Sequence, residues 1–294
     1  MKAHKYYSLL IFTTFLMGVA FPVGKIGLIY ATPFLLMGVR FVLAGGVLAV
    51  WTLMKRLPQP QEASDWVKAC VIGLFQSAGV MGCAYYSMHW ITSGESAIIT
   101  SSSPLIVVLF GTLFAGVRYR PLQWLGVIFG FTGIVFSFGA HIGLHPGTWI
   151  GLAGAVCFSA ATLLIKRWGG RFHMTVLAAY QMLFGGGILL LMSLLAEDAY
   201  FNLNGTSAAV VLWLAVMCSI VQFSVWFYLL NAGDPGKTSS FLFLAPIFGV
   251  LSSWLLLGEK CEWEAVVGGA LVCVGIYFVN QEQTAVKRHI HEPG

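Results

Sequence analysis

The chain has 294 residues, 58% of them hydrophobic and 9% charged, with a mean hydropathy of +0.84. Soluble domains carry roughly 25% charged residues, so this chain cannot clothe a globular surface in polar groups, and at ~20 residues per membrane-crossing helix its length fits about ten crossings and no soluble head. The net charge of +5 lies in short connections, which leaves no basic domain for a nucleic-acid partner.

Apolar windows bounded by charges, Gly/Pro or polar clusters predict ten helices. They run Tyr6 to Gly27, Pro33 to Met54, Val67 to Met88, Ser93 to Ala115, Leu122 to Gly139, Thr148 to Trp168, Thr175 to Leu195, Ser207 to Leu230, Ser239 to Leu257 and Trp263 to Phe278. Lys2 and Lys5 precede the first as they would a signal peptide, but its apolar run exceeds the ~7 to 15 residues of a signal core. It is therefore read as a mature helix. The sequence thus describes an all-α integral membrane protein.

The Lys and Arg residues test this division, because cytoplasmic loops are enriched in them. With the N-terminus inside, 13 of the 16 fall on the cytoplasmic side, Lys260 falls outside, and Lys25 and Arg40 fall within spans. One helix more or fewer would scramble that sorting, so both termini are expected in the cytoplasm. The six cysteines show no CxxC spacing and read as small packing residues rather than disulfide partners or metal ligands.

A shift of 142 positions lays much of the first half on the second without gaps: Tyr86 on Tyr228, Gly94 on Gly236, Pro104 on Pro246, Gly116 on Gly258, Gly126 on Gly268 and Gly133 on Gly275. A shift of 141 serves the earlier helices, placing Lys25 on Lys166 and Arg40 on Gln181. The expected organisation is one repeat over 6–140, a second over 147–279, and a short basic tail over 280–294. Five helices per repeat is an odd number, so the second copy enters the membrane from the opposite side. Inverted repeats of this kind build secondary transporters that rock about a site near the bilayer midplane.

The chain resembles the drug/metabolite transporter superfamily, in its ten-helix bacterial exporter branch with two EamA-type repeats. The resemblance lies in the Ser-rich, proline-centred segment Gly94 to Gly116, its copy Gly236 to Lys260, and the Gly-spaced helices carrying Gly126, Gly130 and Gly133, and Gly268, Gly269 and Gly275. It implies a protein of the bacterial plasma membrane that exports small metabolites such as amino acids. It also implies a cavity lined by the first, third, fourth, sixth, eighth and ninth helices. One departure is that Val117 follows Gly116 where the acidic Glu259 follows Gly258.

Charges inside hydrocarbon are functional candidates because burying them costs at least ~2.5 kcal/mol on insertion scales. Lys25 and Arg40 both fall in the outer half, where they can attract a substrate carboxylate, Arg40 bidentately. The competing readings are snorkelling of Lys25 and an ion pair of either cation with Glu95, which otherwise favours the start of its own helix. Pro104 and Pro246 are candidate kinks near mid-span for gating, against a role in packing alone. Ser101, Ser102 and Ser103 offer hydroxyls to a substrate or to their own helix backbone. Gln76 and Gln222 can bind substrate or bridge helices for ~1 kcal/mol. Tyr85, Tyr86, Trp226, Phe227 and Tyr228 read mainly as interface anchors, with one or two rings, Tyr86 and Trp226 among them, facing a cavity.

Other patterns fail. Gly236, Lys237 and Thr238 lack the earlier glycine of a phosphate-binding loop, Asn204 to Thr206 reads as a turn, and His289 and His291 sit in the basic tail. No pattern for catalysis, a metal or a cofactor emerges. The expected partners are a small-molecule substrate and the lipid bilayer. Two alternatives stand beside transport: a membrane-embedded enzyme or lipid-handling protein, which needs clustered His, Asp or Glu at one depth, and a structural partner that tolerates loss of Arg40.

Overall fold

The computed structural model describes residues 3–115, 119–137, 145–232, 241–260 and 263–281. Among them every regular element is helical, and one isolated antiparallel bridge joins Ala31 to Phe201. The helices are α1 (Ala3–Gly27), α2 (Pro33–Met54), α3 (Ala63–Ser87), α4 (Ser93–Ser101), α5 (Ser103–Ala115), α6 (Pro121–Ser137), α7 (Pro146–Trp168), α8 (Met174–Ala196), α9 (205–232), α10 (Leu244–Leu257) and α11 (Trp263–Gln281). Seven segments of the described residues are long and apolar enough to cross a membrane: α1, α2, α3, the α4–α5 run, α7, α8 and α9. The fifth, ninth and tenth expected spans appear as shorter apolar helices, Pro121–Phe136, Leu244–Leu257 and Val266–Val279. Outward-facing side chains are apolar, with Leu195, Met54 and Leu113 among the most exposed. That is the surface of a protein solvated by lipid tails.

Helix starts follow local chemistry. Pro33 opens α2, where a missing N–H costs nothing, and the backbone N–H of Phe34 donates to Glu197 Oε1 at 3.1 Å. Thr92 and Glu95 form a reciprocal capping box on α4. Asn204 and Ser207 do the same on α9, so Asn204 is a helix cap rather than a simple turn, and α9 starts at Gly205, ahead of the expected Ser207. Other starts also come earlier than expected, among them α1 at Ala3, α3 at Ala63 and α7 at Pro146.

The expected fourth span is broken just ahead of its proline. Ser102 ends α4, and Pro104 is the second residue of α5. In the second half, a short 3-10 turn over Phe241–Phe243 leads into α10, with Pro246 in its first turn. Each proline therefore sits in the first turn after an interruption, where its absent N–H has no helical partner to lose, so the expected interruptions near Pro104 and Pro246 are breaks between helices rather than bends within one.

Packing is reciprocal between the halves. Helix α1 lies on α10 and α9, and its counterpart α7 lies on α4, α5 and α3; α2 pairs with α8, and α6 with α11. Glycines at four-residue spacing, Gly126 with Gly130 and Gly147 with Gly151, permit close helix approach: a Cβ on Gly126 would meet Gly275 O at 2.7 Å, and one on Gly147 would meet Ser87 O at 2.8 Å. Both α3 and α9 contain one π-helical turn, Leu74–Gly79 and Val216–Val221. The two turns fall on each other in the 142-residue register.

Candidate functional site

A π-turn widens the helix and leaves main-chain groups open to partners, and such turns concentrate at functional positions. Here each is met by a polar side chain from the second helix of the other repeat. Arg40, on α2, donates from Nε to Ser219 Oγ at 3.0 Å and from Nη2 to Cys218 O at 2.9 Å. Gln181, the residue equivalent to Arg40, accepts from Ser77 Oγ at 2.8 Å, and Ser77 is the equivalent of Ser219. One repeat uses a cation at this place and the other an amide.

Arg40 is 2% exposed, its guanidinium lies 5.0 Å from the Phe41 ring centroid, and Nη1 reaches Met37 Sδ at 3.7 Å. Tyr85 neighbours it and donates its hydroxyl to Ala20 O at 2.6 Å. Tyr85 is fully buried, so it is a core residue and not an interface anchor. It stacks near Phe21 and fills the space that any side chain on Gly24 would need. Among the described residues no carboxylate pairs with Arg40. This buried guanidinium thus holds neutral partners, with no carboxylate beside it among the described residues.

Lys25 has different surroundings. It pairs with Glu259 Oε1 at 3.2 Å and donates to Ile91 O at 3.1 Å. Glu95 instead accepts from Thr92 N and Oγ1 at 2.7 and 2.9 Å. The expected alternative of an ion pair between Glu95 and either cation is therefore replaced by a pair between Lys25 and Glu259. The structure does not join Lys25 and Arg40 through a shared partner.

The other candidates separate. Gln222 is buried, its backbone carbonyl accepts from Thr13 Oγ1 at 3.2 Å, and its Nε2 is left without a partner among the described residues. Gln76 lies half-buried on the α3 π-turn. Ser102 donates to Ile99 O at 2.6 Å within its own helix, which is the backbone-bonding alternative. Tyr86 stacks on Phe34 at 5.2 Å and 14°, while Trp226 is half-buried on α9. Gly116, Val117, Gly236, Lys237, Thr238, His289 and His291 lie outside the described residues. No group of three or more His, Cys, Asp or Glu able to hold a metal occurs among the described residues.

A profile of the EamA-like transporter family matches residues 4–139 and 145–281, one copy in each half. The chain belongs to the EamA-like transporter family. Its similarity to curated relatives runs nearly end to end. It is 26% identical to the "Uncharacterized transporter YvbV" of Bacillus subtilis, over 95% of this chain and 92% of the relative. With the "Uncharacterized inner membrane transporter YedA" of Escherichia coli K12 it shares 28% identity over 89% of this chain and 88% of that one. A solved crystal structure, 23% identical, matches with a TM-score of 0.67 over 95% of this chain and 98% of that chain, which speaks to the fold. EamA relatives are named as transporters and not as enzymes. The protein is accordingly a multi-pass membrane transporter with two EamA repeats.

Sequence reasoning missed two acidic residues, Glu259 and Glu197, each capping a helix of the first repeat from the second. For Glu259 a signal existed: the repeat puts Val117 at its equivalent position, so the acid is particular to one end.

Proposed function

We propose that this protein is a secondary transporter of the bacterial plasma membrane, exporting small metabolites, foremost amino acids, by alternating access. On this reading ten helices cross the bilayer as two inverted five-helix repeats, and both termini are cytoplasmic. The three shorter helices complete the count, the sorting of 13 of 16 cations supports the orientation, and the printed name of YedA supports an inner membrane.

The observation that carries the reading is the reciprocal tie at the two π-turns, Arg40 to Ser219 and Gln181 to Ser77. Equivalent contacts in two copies of opposite orientation are what a pair of alternating states requires, because each half takes the other's role as the molecule switches. The asymmetry of the tie supports a substrate with an anionic group. A buried cation lacking a carboxylate is strongly disfavoured unless an anion arrives, and a substrate carboxylate supplies one. Gln222 Nε2 adds an unspent donor, while Lys25, Gln76, Tyr86, Ser102 and Trp226 stand as further substrate-contacting candidates along the route.

Efflux from intact cells tests this. Cells overexpressing the protein and loaded with labelled amino acids should lose at least one of them faster than vector controls, with saturation at high internal concentration. Equal efflux across the whole panel would overturn amino-acid export.

A further inference from the structure

At the end of the bundle where Glu197 caps α2, a second carboxylate gathers several partners at once. Glu259, just past α10, accepts from Ser93 N at 3.0 Å, Ser93 Oγ at 2.9 Å and Gly94 N at 3.4 Å, and pairs with Lys25 at 3.2 Å. Ser93 Oγ also lies 2.8 Å from Ser253 Oγ of α10. The second repeat thus caps the start of α4 and grips the end of α1 together. Carboxylates are favoured there because the first N–H groups of a helix are unpaired and carry partial positive charge. Glu259 is 14% exposed and Lys25 30%, so the cluster is shielded enough to hold yet near enough to water to break.

Below this cluster the three helices touch through their smallest residues. A Cβ on Gly249 would lie 2.6 Å from Ala97 Cβ, and one on Gly18 would lie 2.6 Å from Gly249 N. This contact closes the path between α1, α4 and α10. Beyond Ser102 the packing changes: α4 lies on α10, whereas α5 lies on α7, α6 and α11. The chain parts there from α10.

The repeat places Lys166 where Lys25 stands, at the opposite end, but Val117 where Glu259 stands. Lys166 is exposed, and no carboxylate among the described residues pairs with it. The Lys25–Glu259 pair therefore has no repeat-related copy among the described residues; at the other end a different pair, Arg171 with Asp65, spans the repeats.

We infer that Glu259, Lys25 and Ser93 form a one-sided latch, holding the end of the bundle away from the N-terminus shut and biasing the transporter toward the state open at the N-terminal end. The inference rests on the transporter reading above. Breaking the latch frees α4 from α10 at that end, whereas the ion pair between the repeats at the other end, Arg171 with Asp65 at 3.5 Å, has a cation 53% exposed and screened by water.

The test is a distance measurement on the full chain, with native cysteines replaced, in lipid nanodiscs. Spin labels at Trp90 and Leu255, both exposed and flanking the latch from different repeats, report separation by pulsed electron resonance. The parent protein should show one dominant short distance. Glu259→Gln and Lys25→Gln should each raise a longer-distance population relative to the short one by about tenfold, the scale of hydrogen bonds to a charged group. Lys25→Gln keeps the carboxylate that caps α4, so it carries the test where Glu259→Gln does not fold. Unchanged distributions in a folded variant would overturn the latch, as would failure of both variants to fold, which would make Glu259 a structural brace. The readout needs no substrate: distances that shift without any measurable flux would count against transport and leave the latch standing, and flux with unchanged distances would do the reverse.

Discussion

Arg40→Gln is expected to lower flux of a carboxylate substrate by about a hundredfold while the protein stays folded. The scale follows from losing one or two charge-assisted hydrogen bonds at ~1.5–3 kcal/mol each. Folding should survive because the other repeat already contains the substitution: Gln181 bonds the serine of its π-turn at 2.8 Å, and glutamine at 40 can bond Ser219 in the same way. What disappears is the charge, buried to 2% with no carboxylate partner among the described residues. Arg40→Lys keeps the charge but not the planar fork and should fall between the two. Initial rates for a carboxylate and for its amide analogue separate the meanings. Loss confined to the carboxylate supports anion recognition, and equal loss for both would make Arg40 a helix brace.

Gly275→Val is expected to destabilise the folded protein by ~3 kcal/mol, the upper range for overpacking a filled interface. A Cβ at this position lies 2.6 Å from Gly126 O and 2.7 Å from Gly130 N, and both of these are backbone atoms that no rotamer change can move. Close approach of small residues is a principal source of helix association in lipid, where apolar side chains gain nothing by leaving hydrocarbon. Helices α6 and α11 depend on it, since Gly133 makes the same contact against Gly268 O one turn pair away. Gly187→Ala is the control, because a Cβ there meets nothing within 4 Å. Equilibrium unfolding in mixed micelles should show the large shift for the first variant and less than ~0.5 kcal/mol for the second.

The positions of the helices, the repeat and the glycine contacts were legible because each leaves a local mark: an apolar window, an ungapped register, small residues at helical spacing. The π-turns were not. Leu74–Gly79 and Val216–Val221 lie in helices that are apolar on most faces, so one residue more per turn disturbs no visible pattern. Tyr85 shows the weakness of a statistical rule. Tyrosine near a helix end favours the interface, but here Gly24 opens a space on α1 and Ala20 O offers a bond, and the ring is buried. The interruption near Pro104 is legible because proline's lost bond is visible in a sequence, whereas its form, a full break at Ser102 with the proline in the next first turn, is not. Lys25 stands out in the sequence as a charge within a span, yet its partner Glu259 lies far away in sequence, just past a helix end. Only the comparison of Glu259 with Val117 hinted that the acid was special.

Counterflow with the purified protein in liposomes tests the central claim most directly. Vesicles loaded with one unlabelled carboxylate metabolite, amino acids first, should transiently accumulate the labelled compound from outside. That overshoot requires a site exposed alternately to each face, and Arg40→Gln should remove it. No overshoot with any compound of a broad panel, from protein shown to be folded, would contradict transport by alternating access.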